Sequence, residues 1–476
     1  MIDPLIIVGA GPAGLACGIA AARRGIPVTI LERDAPQPLD DPAGAFESWT
    51  RPGVAHERLP HSLLGRTRRA LREHTPEVLG QMLEQGAWEN PVGARFAGAA
   101  LEASDEDLVV IHTRRPFFEC LLRRAAEAEP LLTIRSNLKV TGVDVTAQSP
   151  PRVTGVRTDA GTVAGQLVVD AGGRRSPVRE SLAEAGVALP PSATEPCSLI
   201  YYTRYFRLRE AVDYPAWQGV VGPSGTTDSV RFSIFFGDNR TFAIVLGVLT
   251  SLHELRGLSR PDVFMAAVAR FKSLAPFARP EIALPTTDVV PFGSLHNVFH
   301  EPLLDEGPPV LGLHFIGDAY CHTNPLFAWG LCLGLHQGFQ LGSLIAEHPG
   351  DAHAQALALA DLCADEARQC FNVVAEEDRD RTAAWSGEAL TGPWQGRTFA
   401  GFVRQCALPA VGLDPYVARA VLRRSNLLDR PEELSRNQAI LQRVMELQPQ
   451  LPAPAPGSAP SREELVELAS APSTHA

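Results

Sequence analysis

The chain has 476 residues, 45% of them apolar, so it is long enough to bury a large core in one large or two interlocked domains. Its net charge of -11 argues against a nucleic-acid-binding protein, because phosphate recognition needs a concentrated basic surface. Its eight cysteines form neither a Cys-x-x-Cys pair nor a metal-ligand spacing, which indicates reduced packing residues in a cytoplasmic protein without a metal site.

Residues 4–34 predict a strand, a tight turn, a helix and a second strand. The turn GAGPAG contains Gly9, Gly11 and Gly14, which permit a tight bend, a close approach to a pyrophosphate and close packing of helix on strand. Glu32, at the end of the second strand, is placed to accept hydrogen bonds from a ribose. Glycines and a proline interrupt this apolar stretch, so we expect it to belong to the fold and not to span a membrane. The unit predicts a bound adenine dinucleotide but does not distinguish FAD from NAD.

The next part of the chain alternates loops, helices and strands. A polar loop rich in proline and glycine covers residues 35–60 and is long enough to suggest a function. Hydrophobic periodicity then predicts three helices, over residues 61–73, 76–85 and 115–128. Strands are predicted to return to the first sheet, over residues 131–145 and 152–169.

Long strands rich in aromatic residues follow, and they predict an antiparallel sheet. The most regular of them cover residues 201–208 and 230–249, the latter with a turn at Gly237-Asp238-Asn239. A short buried strand (311–318), an apolar helix (330–346) and further helices up to Leu447 come next. The segment QPQLPAPAPGSAP then predicts a tether, and Ser461 with Glu464 predicts a capping box that starts a last helix.

The segment from His314 to Gly338 contains Gly317 and Asp318, then Pro325 and the turn Gly330-Leu331-Cys332. It resembles the flavoprotein monooxygenases of the p-hydroxybenzoate hydroxylase fold, which include aromatic hydroxylases, polyketide epoxidases and flavin-dependent halogenases. The resemblance implies that Asp318 holds the ribityl and pyrophosphate side of FAD and that Pro325 lies beside the flavin. It also implies that the following helix points its N-terminus at the ring, where it stabilises negative charge. A buried turn carboxylate is the alternative interpretation of Asp318.

This segment departs from the family pattern at two positions. Ala328 stands where a glycine is usual, and Cys332 where the hydroxylases often have asparagine. Neither change removes a backbone N–H donor.

The segment from Val168 to Arg179 resembles the middle motif of the same family. In the aromatic hydroxylases an aspartate of this motif helps to bind FAD and NADPH, and Gly172 occupies its position here, with Asp170 two residues earlier. This form is closer to the epoxidases and halogenases. NAD(P)H is therefore expected to reduce the flavin either directly or through a separate flavin reductase.

Two more segments support the resemblance. The stretch Arg51 to Leu71 is similar to a flavin-side segment of the epoxidases, with His56 in place of the usual glutamine, and Thr113 to Ala125 is similar to a helix start that brings Arg115 near the cofactor. A solvated arginine is the alternative for Arg115. The residues expected to bind FAD are Gly9, Gly11, Ala13, Gly14, Glu32, Arg33, Arg51, Arg115, Asp318, Pro325, Gly330 and Leu331.

The catalytic residues are harder to predict. Alternation along the strand at 201–208 puts Tyr202 and Arg204 on one face and Tyr201 and Tyr205 on the other, so only one pair can face the flavin. We take Tyr202 and Arg204 as candidates, with core packing as the alternative. His322 is a candidate base for a phenolic substrate, and His296 and His300 are further histidines of the same region; a structural role is the alternative for each.

We therefore expect an α/β fold with a Rossmann-like FAD-binding domain, an inserted antiparallel-sheet substrate domain and a helical C-terminal region. The predicted boundaries are 1–187 and 284–350 for the first, 188–283 for the second, 351–447 for the third and 448–476 for a proline-rich tail.

The resemblance implies an FAD-dependent monooxygenase that inserts one oxygen atom from O₂, through a flavin C4a-hydroperoxide, into an aromatic or alkene substrate. The 41 arginines against two lysines, together with 40 prolines, suggest a GC-rich bacterial source, in which such enzymes often serve secondary metabolism. A flavin-dependent dehydrogenase, oxidase or reductase shares the same motifs. A halogenase is less favoured because family halogenases use a lysine and a W-x-W-x-I-P segment, whereas this chain lacks the segment and has lysine only at 139 and 272. A non-catalytic flavoprotein scaffold is the least favoured alternative.

Overall fold

The computed structural model describes residues 4–36, 40–54, 56–388, 390–451 and 457–471. In chain order the strands are β1 (Leu5–Val8), β2 (Val28–Leu31), β3 (His61–Leu63), β4 (Trp88–Asn90), β5 (Val110–Thr113), β6 (Leu132–Arg135), β7 (Val140–Val145), β8 (Val153–Thr158), β9 (Gly161–Ala164), β10 (Leu167–Asp170), β11 (Ser192–Pro196), β12 (Leu199–Leu208), β13 (Ser224–Thr226), β14 (Val230–Phe236), β15 (Thr241–Leu249), β16 (Ala283–Pro285), β17 (Val290–Phe292), β18 (His296–His300), β19 (Leu313–Phe315) and β20 (Cys321–His322). The α-helices are α1 (Pro12–Ala22), α2 (Ala45–Ser48), α3 (Gly65–His74), α4 (Pro76–Glu84), α5 (Val92–Phe96), α6 (Arg115–Glu127), α7 (Val178–Glu184), α8 (Pro261–Val268), α9 (Trp329–Glu347), α10 (Ala352–Trp385), α11 (Phe399–Phe402), α12 (Leu408–Ala410), α13 (Pro415–Ser425), α14 (Glu433–Arg436), α15 (Gln438–Leu447) and α16 (Arg462–Ser470).

A parallel sheet in the order β19-β10-β1-β2-β6 forms the centre of the nucleotide-binding layer. Its central strands β10, β1 and β2 are largely apolar and buried, as expected where both faces of a sheet are covered, whereas the edge strand β6 is partly exposed. Helices α1 and α9 pack at close range because small residues line their contact: a Cβ added at Gly338 would lie 2.3 Å from the carbonyl oxygen of Ala13. The late strand β19 thus joins a sheet built mostly from the first 170 residues, so this parallel layer is discontinuous in the sequence.

An antiparallel sheet in the order β13-β14-β15-β12-β16 forms the second layer, with β17 also paired to β12. Strands β14 and β15 form the predicted hairpin, with Phe236 opposite Phe242 across the turn. The sheet continues through β16 and β17 to Phe292, so it extends beyond the predicted boundary at residue 283. The α/β fold with an inserted antiparallel sheet is confirmed.

Two short sheets differ from the sequence prediction. Residues 61–63 form strand β3, which pairs with β5, and the helix predicted from His61 begins only at Gly65. Strands β7, β8 and β9 form a separate antiparallel sheet instead of joining the parallel one. Short apolar runs have no clear period, so pairing with a neighbouring strand determines whether they form a strand and which sheet they join.

The C-terminal region is helical, and its longest helix, α10, lies against α9 and β18. The predicted capping box at α16 is present: the Ser461 hydroxyl accepts from the Glu464 N–H at 3.3 Å, and Glu464 accepts from the Ser461 N–H at 2.8 Å. Leu465 of α16 is fully buried against the antiparallel-sheet layer. Part of the predicted tether, residues 452–456, lies outside the described residues, but the chain from 457 to 471 packs on the molecule.

Candidate functional site

A cavity of about 480 Å³ lies where the parallel and antiparallel layers meet. Its walls come from the turn before α1, the loop around Arg51, the middle motif after β10, the antiparallel layer and the start of α9. Carboxyl ends of parallel strands are the usual place for ligands in open α/β sheets. The cavity therefore brings together segments that are up to about three hundred residues apart in the sequence.

The glycine turn forms the first end of the cavity. A Cβ at Gly14 would lie 2.1 Å from the carbonyl oxygen of Gly9, and Gly9 itself has a φ of +92°, so both positions require glycine. Gly11 differs, because a Cβ there would meet nothing within 4 Å. Gly11 is the N-cap of α1, and no side chain caps this helix. The open space in front of free N–H groups fits a diphosphate.

The carboxylate of Glu32 lies beside this turn and is fixed by three donors. Its Oε2 accepts from the Ala10 N–H and from the Arg51 guanidinium, each at 2.8 Å, and its Oε1 accepts from the Asp34 N–H at 2.9 Å. Each carboxylate oxygen has two lone-pair sites, so Oε1 can still accept from a ribose hydroxyl.

Arg51 lines the cavity but is largely engaged by protein carboxylates. It is 3% exposed and contacts Glu119 at 2.6 Å and Asp34 at 3.3 Å in addition to Glu32. Arg51 thus holds the three carboxylates together at the end of the cavity near the glycine turn. The sequence did not identify Glu119 or Asp34 as its partners, since no local spacing links them to Arg51.

Arg33 and Arg115 line the same end. Arg33 donates to the carbonyl oxygen of Gly53, and Arg115 donates to Glu119 and approaches His61 Nε2 at 3.4 Å. Burial and the neighbouring Arg115 lower the pKa of His61 to about 3, so this imidazole is neutral. It is not a cationic ligand for phosphate.

The second end of the cavity is formed by the segment from Gly317 to Leu331. Asp318, Pro325, Ala328, Gly330 and Leu331 all line it, and the first turn of α9 opens into it. Ala328 has a φ of +56°, a left-handed conformation that glycine adopts at lower cost. This conformation explains why glycine is usual at this position in the family.

The middle motif forms a wall between the two ends. Asp170 is fully buried and accepts from the Gly172 N–H at 2.9 Å and the Ser176 hydroxyl at 2.7 Å. Burial raises the pKa of Asp170 to about 6. Gly172, Gly173 and Arg174 line the cavity, whereas Asp170 holds the turn from behind.

The antiparallel layer covers the second end of the cavity with Phe235, Phe292 and Leu295. The Arg174 guanidinium lies 5.3 Å above the Phe292 ring. His296 and His322 also line this part, whereas His300 does not and lies instead 2.6 Å from the Ser192 hydroxyl. This part of the cavity combines apolar and aromatic side chains with a few polar groups, as small-molecule sites usually do.

His322 has a defined tautomer. Its Nδ1 lies 3.1 Å from the carbonyl oxygen of Asp318, and because a carbonyl only accepts, Nδ1 carries the proton. Burial lowers the pKa of His322, with Asp318 acting in the opposite direction. The neutral ring therefore leaves Nε2 as a proton acceptor.

Tyr202 and Arg204, the other candidates, do not line the cavity. Tyr202 is buried in the apolar core of the antiparallel layer, and Arg204 Nε donates to the Thr287 carbonyl oxygen at 3.0 Å. The opposite face of β12 points to the nucleotide layer: Tyr201 donates to Asn324, and the Tyr205 ring lies 4.6 Å from Phe46. Strand alternation predicts two faces but not which one is inward, and here the face with Tyr202 and Arg204 does not line the cavity.

The eight cysteines are free and buried, and burial raises the pKa of several, Cys17 to about 12. Within the part of the chain that the structure describes, no group of three or more His, Cys, Asp or Glu side chains is arranged to hold a metal ion. Among the same residues, no helix is both long and apolar enough to cross a membrane.

Comparison with known proteins agrees with this geometry. Residues 3–190 match the family described as FAD binding domain. No curated protein matches the chain in sequence. The flavin-dependent brominase Bmp2 superposes with a TM-score of 0.60 at 17% identity, over 94% of this chain and 99% of that one.

Two other solved structures have the same fold. PqsL of P. aeruginosa, in complex with 2-aminobenzoylacetate, gives a TM-score of 0.58 at 14% identity, over 81% of this chain and 98% of that one. The 2-methyl-3-hydroxypyridine-5-carboxylic acid oxygenase superposes with a TM-score of 0.55 at 17% identity, over 82% of this chain and 94% of that one. Residues 3–190 are therefore similar to an FAD-binding domain, and the chain has the fold of the p-hydroxybenzoate hydroxylase group of flavoproteins.

Proposed function

We propose that the protein is an FAD-dependent monooxygenase that inserts one oxygen atom from O₂ into an aromatic or alkene small molecule. The observation that supports this most is the single cavity that runs from the glycine turn, past Asp318 and the N-terminus of α9, to the aromatic wall of the antiparallel layer. Reduced FAD, when bound, supplies the electrons that activate O₂.

The chain's own residues divide the work along this cavity. Gly11 and the N-terminus of α1 would hold the diphosphate, Glu32 the ribose, and Asp318 the ribityl side. The first turn of α9, at Gly330 and Leu331, offers N–H groups and a helix dipole to negative charge on the flavin ring.

The substrate half of the cavity would act by positioning and by excluding water. Phe235, Phe292 and Leu295 provide the apolar walls against which a ring or alkene packs. Nε2 of His322, free as an acceptor, is placed to take the proton of a phenolic hydroxyl. His322 is the catalytic candidate that we retain.

The electron donor is proposed to be NAD(P)H, used directly or through a flavin reductase. Gly172 stands where hydroxylases of this group have an aspartate, and this favours the reductase route. Oxidation of NADPH by the purified holoprotein alone would instead indicate direct reduction.

Halogenation is the second candidate, because the brominase Bmp2 shares the fold. Lys139 lines the cavity, but at the nucleotide end beside Leu138, whose N–H donates to the carbonyl oxygen of Glu32. Lys272 is exposed on the antiparallel layer. Lys139 thus belongs to the end of the cavity near Glu32, and Lys272 does not line the cavity, which favours oxygenation.

The test is a product screen with the chemically reduced holoprotein. Phenols and alkenes are incubated in air, with and without bromide, and products are identified by mass spectrometry while hydrogen peroxide is measured. Products with one added oxygen, independent of bromide, support monooxygenation. Brominated products would establish the halogenase alternative, and oxidised products with matching peroxide would establish an oxidase.

A further inference from the structure

A buried polar cluster lies directly behind the flavin-side turn. We call it the Asp378 network, and it consists of Tyr201, Asn297, Asn324, Asp378 and Arg381. Asp378, on helix α10, accepts from the side-chain amides of Asn324 and Asn297, each at 2.8 Å. The Asn324 N–H donates to Asn297 Oδ1 at 2.6 Å, which closes a ring of three hydrogen bonds.

Both side-chain oxygens of Asp378 accept hydrogen bonds from protein donors, so a neutral carboxamide cannot satisfy all of these contacts. The three central residues of the network are at most 2% exposed, so water does not complete their hydrogen bonds. Two amide donors converge on the two oxygens of Asp378, and Arg381 donates to one of them as well. A carboxamide accepts through only one of its two polar atoms and would turn a donor toward a donor.

Asn324 connects this network to the cavity. Its neighbours in the chain, Thr323 and Pro325, both line the cavity, whereas Asn324 points away from it into the network. Its Oδ1 accepts from Tyr201 and from the Leu326 N–H, the latter at 3.1 Å. Asn324 thereby caps the short 3₁₀ helix Pro325–Phe327.

This 3₁₀ helix leads straight to Ala328, whose left-handed conformation is unfavourable for an alanine. Backbone strain of this kind persists only where surrounding contacts hold the segment in place. The Asp378 network provides such contacts immediately before the strained residue. The first turn of α9, which faces the expected flavin ring, begins at the next residue.

We propose that Asp378 is a positioning residue that fixes the turn from Thr323 to Leu331 against the flavin, so that the C-terminal helix α10 belongs to the cofactor site. The inference rests on FAD occupying the cavity, but not on the reaction that follows. Burying an ion pair is costly and seldom stabilises a fold by itself, which fits a role in geometry.

The experiment compares Asp378→Asn with Asp380→Asn as its matched control. Asp380 lies on the same helix, is 6% exposed and is likewise paired, with Arg404 and with the Thr398 hydroxyl at 2.6 Å. Neither of these partners is next to a cavity residue in the chain, whereas Asn324 lies between two cavity residues. The flavin absorption spectrum, the flavin reduction potential and the dissociation constant for FAD are measured for each holoprotein, without substrate.

We expect Asp378→Asn to weaken FAD binding about tenfold and to shift the flavin spectrum, as loss of a hydrogen bond to a charged group allows. Asp380→Asn should leave both unchanged even where its urea midpoint falls. The double variant Asn324→Asp with Asp378→Asn restores one acceptor and one donor across the contact, so it should recover the wild-type spectrum in part.

Asn324→Ala removes the hydrogen bond to Asp378 by changing the residue next to the cavity. This variant tests the proposal if Asp378→Asn does not fold. Wild-type flavin spectra and FAD affinity in both Asn324→Ala and Asp378→Asn would overturn the proposal. Equal shifts in Asp380→Asn would overturn it too. These measurements are made without substrate and before any turnover. The role of Asp378 can therefore be disproved while monooxygenation is upheld, and monooxygenation can be disproved while the role of Asp378 is upheld.

Discussion

The three glycines of the first turn are constrained by different neighbours. Gly9 and Gly14 are confined by the protein itself, since added Cβ atoms would lie 2.7 Å from the Ala171 carbonyl oxygen and 2.1 Å from the Gly9 carbonyl oxygen. Gly11 has no protein atom within 4 Å of such a Cβ. The fold therefore leaves room for a side chain at Gly11, and a requirement for glycine there would come from a bound ligand.

Gly11→Ala should therefore separate binding from folding. We expect the urea unfolding midpoint of the apoprotein to fall only slightly, because alanine is a poorer helix N-cap than glycine. FAD affinity, measured by fluorescence titration, should fall about tenfold or more (~1.4 kcal/mol). Gly80→Ala, on α4 and equally open, is the control and should bind FAD normally. Undiminished affinity in Gly11→Ala would contradict a diphosphate at this turn.

A second prediction at this scale concerns pH. Burial raises the pKa of Asp170 to about 6 from an ordinary value near 3.8, so the folded state binds this proton more tightly than the unfolded state. Its contribution to stability is present below pH 4 and is lost as pH rises through 6, by about 3 kcal/mol. Asp170→Asn lacks this titration and can keep both hydrogen bonds, because the Ser176 hydroxyl can also accept.

The difference in unfolding free energy between wild type and Asp170→Asn should thus fall steadily between pH 4 and 7 in urea titrations. A constant difference over this range would show that Asp170 has an ordinary pKa in the folded state.

At the scale of elements, the N-cap of α9 is a strained residue, and it precedes the helix turn that we propose to face the flavin. Ala328 is left-handed, so Ala328→Gly should relieve strain and raise the unfolding free energy by about 0.5–1 kcal/mol. Ala364→Gly, in the regular part of α10, should do the opposite and lower it by about 1 kcal/mol. Denaturant titration of both variants tests this, and a loss of stability in Ala328→Gly would contradict the conformation described.

The sequence predicts elements well where the signal is local. The βαβ unit, the β14–β15 hairpin, α9 and the Ser461 capping box all follow from turn residues and periodicity within short windows. It predicts poorly where distant partners decide. Strand β3 needs β5, and the inward face of β12 depends on what packs against each side.

The Asp378 network shows the same limit within the site. Asp378 and Asn324 are 54 positions apart, and neither belongs to a recognisable motif. Residues near the glycine turn and Asp318 are predicted because they belong to recognisable motifs, and all of the expected FAD-binding residues except Gly14 line the cavity. Their contacts with FAD stay predictions that the variants above can test.

At the scale of the whole molecule, the chain places a nucleotide-binding layer, an aromatic sheet and a helical C-terminal region around one cavity. The first layer lines the cavity with its glycine turn, the second covers it with Phe235 and Phe292, and helix α10 of the third hydrogen-bonds to Asn324 in the turn after β20. Helix α16 packs back on the sheet layer, so the described part of the tail is built into the molecule.

The most direct test of the account is the origin of the oxygen in the product. The holoprotein is turned over with its best substrate in isotopically labelled dioxygen and ordinary water, and the product is analysed by mass spectrometry. We predict one labelled oxygen atom in every product molecule. A product whose oxygen comes from water, or an oxidised product with no label, would contradict monooxygenation.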